Sequence, residues 1–146
     1  MQHHHAQDAM VSMEEQLRNA GLRPTRQRIA LANLIFAQGD RHLSAEELHE
    51  EAVQADVPVS LATVYNTLHQ FTEAGMLRII AVEGAKTYFD TNVSDHHHFF
   101  LEGENVVFDI PHGERGQPVV ANMPDAPEGM EIVNVDVIVR LRRKKR

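Results

Sequence analysis

With 146 residues, 42% of them apolar, the chain can build one domain or two small ones, and no run reaches the ~20 apolar residues of a membrane-spanning helix. Cysteine is absent, which excludes disulfides, thiolate metal clips and thiol nucleophiles, while ten histidines are an unusual stock of imidazole. The net charge of -7 is unevenly spread, and screening over about 10 Å lets a local basic edge act on nearby phosphate despite a distant acidic body.

Residues 1–7, including His3, His4 and His5, carry no structural pattern and are expected to be disordered. No secretory signal precedes the first helix, so a cytoplasmic protein is expected. A helix is predicted from Asp8 to Ala20, closed by Gly21. Pro24 and Thr25 open a second, with Ile29, Leu31, Leu34, Ile35 and Phe36 apolar, and Gly39 ends it. Arg23, Arg26 and Arg28 cluster at its start. Ser44 followed by Glu47 is a capping-box spacing and begins a third helix, SAEELHEEAVQA, which is acidic at Glu46, Glu47, Glu50 and Glu51. His42 falls on the loop before it. Val57, Pro58 and Val59 turn into a fourth helix, capped by Ser60 and ended by Gly75.

The fourth helix organises the chain. Leu61, Val64, Leu68 and Phe71 recur at three- and four-residue steps as one apolar stripe. The opposite face carries Ala62, Thr63, Asn66, His69, Gln70 and Glu73, with Tyr65 on the flank. Small hydrogen-bonding side chains over the first two turns suit the floor of a DNA major groove; an ordinary amphipathic surface helix is the alternative. Short turns between compact helices give a helix-turn-helix module. LRIIAVEG and AKTYFD then predict a hairpin in which Ile79, Ile80 and Val82 face Tyr88 and Phe89 across Glu83 and Gly84, the wing of a winged helix.

The class is therefore α+β. Residues 1–90 read as a winged helix-turn-helix DNA-binding domain and 91–97 as a polar hinge. Residues 98–146 read as a small α/β dimerisation domain with a basic C-terminal tail: Arg140, Arg142, Arg143, Lys144, Lys145 and Arg146. In that last part FFLEGENVVFDI predicts a second hairpin, turning at Glu102 to Asn105. Four prolines between Pro111 and Pro127 leave room only for a short helix. Val133, Val135, Val137, Val139 and Leu141 alternate onto one face of a strand from Glu131 to Leu141. A sheet of three strands is marginal alone and leaves an edge exposed, so a homodimer is expected, its two-fold axis matched to palindromic DNA.

His96, His97 and His98 are consecutive at the hinge. In an extended chain His96 and His98 share a side, the spacing that two ligands of one metal require. Asp90 at the end of the wing, Asp109 in the second hairpin and His42 add an oxygen-plus-imidazole set suited to iron(II), manganese or zinc. A solvated polar hinge is the alternative. His49, His69 and His112 have no evident partners and read as surface residues. An ion bridging the two modules would set the spacing of two reading helices in a dimer.

The motifs AGLRPTRQR, HLSAEEL, LATVYNTLHQF, AGML, EGAKTYFD and the HHH run leading into VVFDI resemble the ferric uptake regulator family over nearly the whole chain. Within it, VEGAKTYFDTNVSDHHHFF resembles the iron response regulators. The resemblance implies a dimeric regulator of iron and haem metabolism genes, active under iron limitation and released from DNA by haem. It maps the regulatory metal ligands onto His42, Asp90, His96, His98 and Asp109, with aspartate at two places where glutamate is usual. It implies haem ligation through His96, His97 and His98, since thiolate ligation is excluded, and no cysteine-based structural zinc, Leu101 and Gly103 standing where the first thiolates would be. It assigns Arg23 to the minor groove and Tyr65 to thymine, and puts Asn66 where arginine is common. Asparagine favours adenine, so an A/T-rich, roughly palindromic double-stranded operator is expected, read by Arg23, Arg26, Arg28, Ser60, Thr63, Tyr65 and Asn66.

The competing reading within the family is a repressor that senses bare Fe2+ or Mn2+ at the same hinge. A metal-dependent hydrolase is a third possibility from another class. Against it stand the missing HExxH, the missing Gly-rich phosphate loop and the lack of a nucleophile with a base, so an enzyme is not expected.

Overall fold

The structure, a computed structural model, describes residues 12–81, 86–94, 96–111 and 118–145. Of these, 12–81 and 86–93 form one compact unit and those from 94 onward a second. His3 to His5, residues 8–11 of the expected first helix, the wing tip at 82–85, Asp95, His112 and Arg146 lie outside the described residues.

The first unit runs α1 (Met13–Asn19), α2 (Arg26–Phe36), β1 (His42–Leu43), α3 (Ala45–Gln54), α4 (Leu61–Glu73), β2 (Arg78–Ile80) and β3 (Tyr88–Asp90). Each helix starts at a hydroxyl. Ser12, Thr25, Ser44 and Ser60 accept the backbone N–H three residues on, at 3.1 to 3.2 Å. Such a cap contributes about 1 kcal/mol relative to alanine. Gly75, at φ 80°, ends α4, and the Met76 N–H returns to the Phe71 carbonyl at 2.9 Å. That reversal requires left-handed backbone, which glycine adopts without a Cβ penalty. Asp56 does the same for α3 at φ 57°.

Leu17, Leu31, Ile35, Leu48, Val64, Leu68, Phe71 and Phe89 are fully buried in the core that these helices share. Three members of the predicted stripe on α4 are therefore core. Leu61, the first residue of the helix, is 37% exposed instead. Thr67 joins the buried face, which apolar periodicity alone passes over.

β3 is the centre of a three-stranded sheet, with β1 on one side and β2 on the other, both antiparallel. The wing hairpin has the expected pairing, Ile79 opposite Phe89 and Ile80 opposite Tyr88. The third strand was not expected. His42, read as a loop residue, lies on β1 and pairs with Asp90. Two residues are too few to show alternation, so only β3 reveals them as strand. Arg41 extends the junction: its N–H donates to the Thr91 hydroxyl at 2.8 Å, and its guanidinium forks onto Glu51 of α3 at 2.6 and 2.9 Å.

The second unit holds β4 (His98–Leu101), β5 (Val106–Asp109) and β6 (Ile138–Leu141), in the order β5-β4-β6. The second hairpin forms as expected, with His98 opposite Asp109 and Leu101 opposite Val106. β6 pairs parallel to β4. The strand expected from Glu131 to Leu141 is confined to its last four residues. Alternation permits a strand, but backbone donors and acceptors need a neighbour. β4 offers only four residues, and the Val137 N–H is taken by the His97 ring at 3.1 Å. Val133, placed on one face with Val135, Val137, Val139 and Leu141, is 88% exposed.

Phe71→Ala should destabilise the helical unit by about 3–5 kcal/mol, whereas Leu61→Ala should cost less than about 1 kcal/mol. Urea unfolding followed through the helical circular-dichroism signal measures both.

Candidate functional site

In the first unit the β1–β3 ladder sets His42 opposite Asp90, and the His42 Nε2 lies 3.1 Å from the Asp90 Oδ2. Asp90 is 1% exposed. A buried carboxylate needs partners to offset lost hydration. Its Oδ1 accepts the Asn92 N–H at 2.9 Å, which leaves Oδ2 facing the imidazole.

In the second unit the β4–β5 ladder sets His98 opposite Asp109. The Nε2 atoms of His98 and His96 lie 3.2 and 3.4 Å from one oxygen, Asp109 Oδ1. Both imidazoles are buried, and their rings meet edge-on with centroids 4.6 Å apart. The His96 Nδ1 lies 2.7 Å from the Ser94 carbonyl oxygen. A carbonyl only accepts, so Nδ1 carries the proton, and in the neutral ring the lone pair sits on Nε2. That lone pair points at a carboxylate oxygen. Two acceptors at this range repel unless a proton or a cation lies with them.

These separations fit a metal. Two donors each about 2.1 Å from one ion stand roughly 3.0 Å apart in an octahedron and roughly 3.4 Å apart in a tetrahedron. The Nδ1–H bond of His96 to a carbonyl is the outer-shell contact that orients a ligating imidazole. Imidazole with carboxylate, and no thiolate, suits iron(II), manganese or zinc.

His97 behaves differently. Its Nδ1 accepts the Val137 N–H at 3.1 Å, so in the neutral ring Nε2 carries the proton. It lines a cleft of about 380 Å³ with Val119, Val120, Met123, Ile132 and Val133. The three consecutive histidines thus divide by side, as alternation dictates.

On α4, Ala62 and Asn66 are exposed and Thr63 half-buried, so the small polar face reaches solvent. Ser60 is committed to its cap, and its hydroxyl also meets the Thr63 hydroxyl at 3.0 Å. Arg23 and Arg26 are exposed. Arg28 is tied down: its guanidinium donates to Gln70 Oε1 at 3.0 Å and to the Arg23 carbonyl at 2.8 Å. Tyr65 donates its hydroxyl proton to Glu46 Oε1 at 2.6 Å. The bond and the carboxylate charge raise the phenol pKa, and the same bond, with α3 backbone N–H, lowers that of Glu46. Sequence reasoning passed over Glu46, because an acidic residue in the first turn of a helix needs no other explanation. His69 is exposed, as expected, and its ring edge meets Phe89 at 5.6 Å between centroids. Of the C-terminal bases, Arg140 pairs with Glu102 at 3.4 Å and Arg143 forks onto Glu104. Among the described residues no helix is long and apolar enough to cross a membrane.

The sequence pattern of the ferric uptake regulator family matches residues 19–139. The ferric uptake regulation protein of Pseudomonas aeruginosa is 30% identical over 133 residues, covering 89% of this chain and 96% of that protein. That of Bordetella parapertussis is 34% identical over 114 residues, covering 76% of this chain and 82% of that protein. Among solved structures, the ferric uptake regulator of Pseudomonas aeruginosa with manganese superposes with a TM-score of 0.69 at 26% identity, covering 93% of this chain and all of that one. The Vibrio cholerae ferric uptake regulator, at 21% identity and a TM-score of 0.66 over 89% of this chain and 98% of that one, shares the fold.

His96→Ala or His98→Ala should lower manganese(II) affinity by at least about 100-fold, since loss of even an outer-shell partner costs about 10- to 100-fold. His97→Ala should change it less than about three-fold. Titration of manganese(II), with the free ion read by electron paramagnetic resonance, checks all three.

Proposed function

The chain belongs to the ferric uptake regulator family, transcription regulators rather than enzymes, and from that premise we propose that it is a cytoplasmic, homodimeric repressor whose grip on DNA is set by a divalent metal ion. One observation carries this reading: two buried imidazoles turn Nε2 toward one Asp109 oxygen, with the tautomer of His96 fixed by Ser94. The relative bound to manganese supports the class of ion.

His42 and Asp90 offer two donors, and His96, His98 and Asp109 offer three. Neither set alone fills the four to six positions that zinc, iron(II) or manganese takes. The family resemblance maps all five onto the ligands of one regulatory ion, and we carry that assignment over as part of the proposal. That makes the ion's differential affinity for two arrangements the source of regulation. Calorimetric stoichiometry tests the sharing: one ion per chain, lost on His42→Ala or His98→Ala alike, is expected. Two ions per chain, lost independently, would show separate sites.

A haem-responsive iron response regulator is the second reading. Its support is the cleft beside His97, where Val119, Val120, Met123 and Ile132 stand with Asn134 in a lining of mixed polarity. Ligation through His97 requires the ring to give up its bond to Val137, because Nε2 holds the proton. Operator affinity, followed by fluorescence anisotropy with manganese(II) or haem added, separates the two. The metal reading expects a change of at least about ten-fold, a typical coupling, with manganese and none with haem. A Soret band with loss of operator affinity supports the other.

α4 is assigned as the reading helix, with Thr63, Tyr65 and Asn66 toward base edges, Arg23 toward the minor groove and Arg26 toward phosphate, while Arg28 is kept for its bonds to Gln70 and the Arg23 carbonyl. Ser60 is kept for the cap that presents them. Asn66→Arg should move the preferred operator from adenine toward guanine at one position of each half-site, by roughly ten-fold or more for a bidentate pair. Site selection from random duplex DNA measures it, and an unchanged preference removes Asn66 from recognition.

A further inference from the structure

Arg28 is a half-buried cation whose bonds join two pieces of the helical unit. Every guanidinium nitrogen is engaged. Nε and Nη2 donate to Gln70 Oε1 at 3.3 and 3.0 Å, and Nη1 donates to the Arg23 carbonyl at 2.8 Å. Gln70 lies on α4, whereas Arg23 lies on the segment that leads into α2. The Arg28 backbone is fixed as well, since the Thr25 cap accepts its N–H at 3.1 Å. Both side-chain bonds go to neutral oxygens, so the rigid planar fork is used for geometry and cancels no charge. Arg23 precedes Pro24, which confines it to extended backbone. Its own side chain is exposed. One buried fork therefore ties the backbone beneath an exposed arginine to α4.

We infer that Arg28 is a positioning residue for DNA binding, which sets where the Arg23 side chain starts relative to α4. The inference rests on the reading in which α4 faces base edges and Arg23 reaches the minor groove. A module that enters two grooves at once needs its helix and its arm at a matched separation. Without the bracket, the segment from Arg23 to Thr25 would have to be ordered as DNA binds, and that entropy would be lost from affinity. Lysine cannot replace Arg28 here. An ammonium keeps the charge, but it is a point donor on a flexible stem and lacks the fixed fork that spans both acceptors. The rival role is a direct phosphate contact through the N–H groups that these bonds leave over. Such a contact would survive as a point charge in Arg28→Lys and would act whether or not Arg23 is present.

A double-mutant cycle on DNA affinity tests the inference. The full-length protein is used in the state, with or without manganese(II), in which it binds best, and the probe is a duplex that the wild type selects from random DNA. Arg23→Ala should weaken binding at least about ten-fold, the worth of one charged contact. Arg28→Lys should weaken it about three- to ten-fold although the charge is kept. In the Arg23→Ala background the same substitution should cost less than about two-fold, because no Arg23 side chain is left to position. Gln70→Ala removes the α4 end of the bracket and leaves both arginines in place. It should show the same dependence on Arg23, and it carries the test alone should Arg28→Lys fail to fold. A merely structural role would lower affinity equally with and without the Arg23 side chain. Losses that multiply in the double mutants, or an Arg28→Lys protein with wild-type affinity, overturn the inference and leave Arg23 at DNA. An Arg23→Ala protein with unchanged affinity removes Arg23 from the interface, and the inference falls with that reading.

Discussion

Antiparallel pairing of β3 with strands on both sides fixes more of this molecule than any other interaction. Three residues, Tyr88 to Asp90, are held from two directions, so their register cannot slip. Phe89 is thereby driven into the helical core, where it is fully buried. Asp90 is set between His42 on one neighbour and Arg78 on the other. A one-residue slip would turn Phe89 out of the core and carry Asp90 away from His42. Core packing and the His42–Asp90 pair are therefore secured by the same hydrogen-bonded ladder.

The second unit repeats the device. β4 is central, and its ladder with β5 puts His98 opposite Asp109. In each sheet an imidazole on one strand meets a carboxylate on its antiparallel neighbour. Cross-strand pairs are the closest reliable approach a sheet can make between two side chains. Placing such side chains on ladders rather than loops also limits how far they can drift.

α4 is positioned by its neighbours in a comparable way. Ser60 caps it, Gly75 ends it, and Val64, Leu68 and Phe71 anchor one side in the core. Its outer face is then constrained from α2 and α3: Arg28 holds Gln70, and Glu46 holds the Tyr65 hydroxyl. Two of the groups assigned to DNA by type alone, Arg28 and Ser60, spend their hydrogen bonds on the fold. The exposed Arg23, Arg26 and Asn66 carry no such commitment in the bonds described.

Local signals were enough for the helices, because a cap, a stripe and a left-handed glycine all act within a few residues of one another. They were enough for the strand pairing of both hairpins, whose partners are near neighbours in the chain, and they supplied the candidate ligand types. Ser44, Gly75, Val64 and Phe71 did in the structure what their spacing required. Tertiary structure alone decided the rest. His42 became strand because Asp90, 48 residues on, was there to pair with it. Residues 131–137 did not extend β6, because β4 had no further backbone to offer and the His97 ring took the Val137 N–H. The tautomers of His96 and His97 were set by the Ser94 carbonyl and the Val137 amide, and the Tyr65 hydroxyl found its partner in Glu46 on another helix. Those are choices among hydrogen-bond partners distant in the chain, and a partner that only folding brings near leaves no periodic trace in sequence.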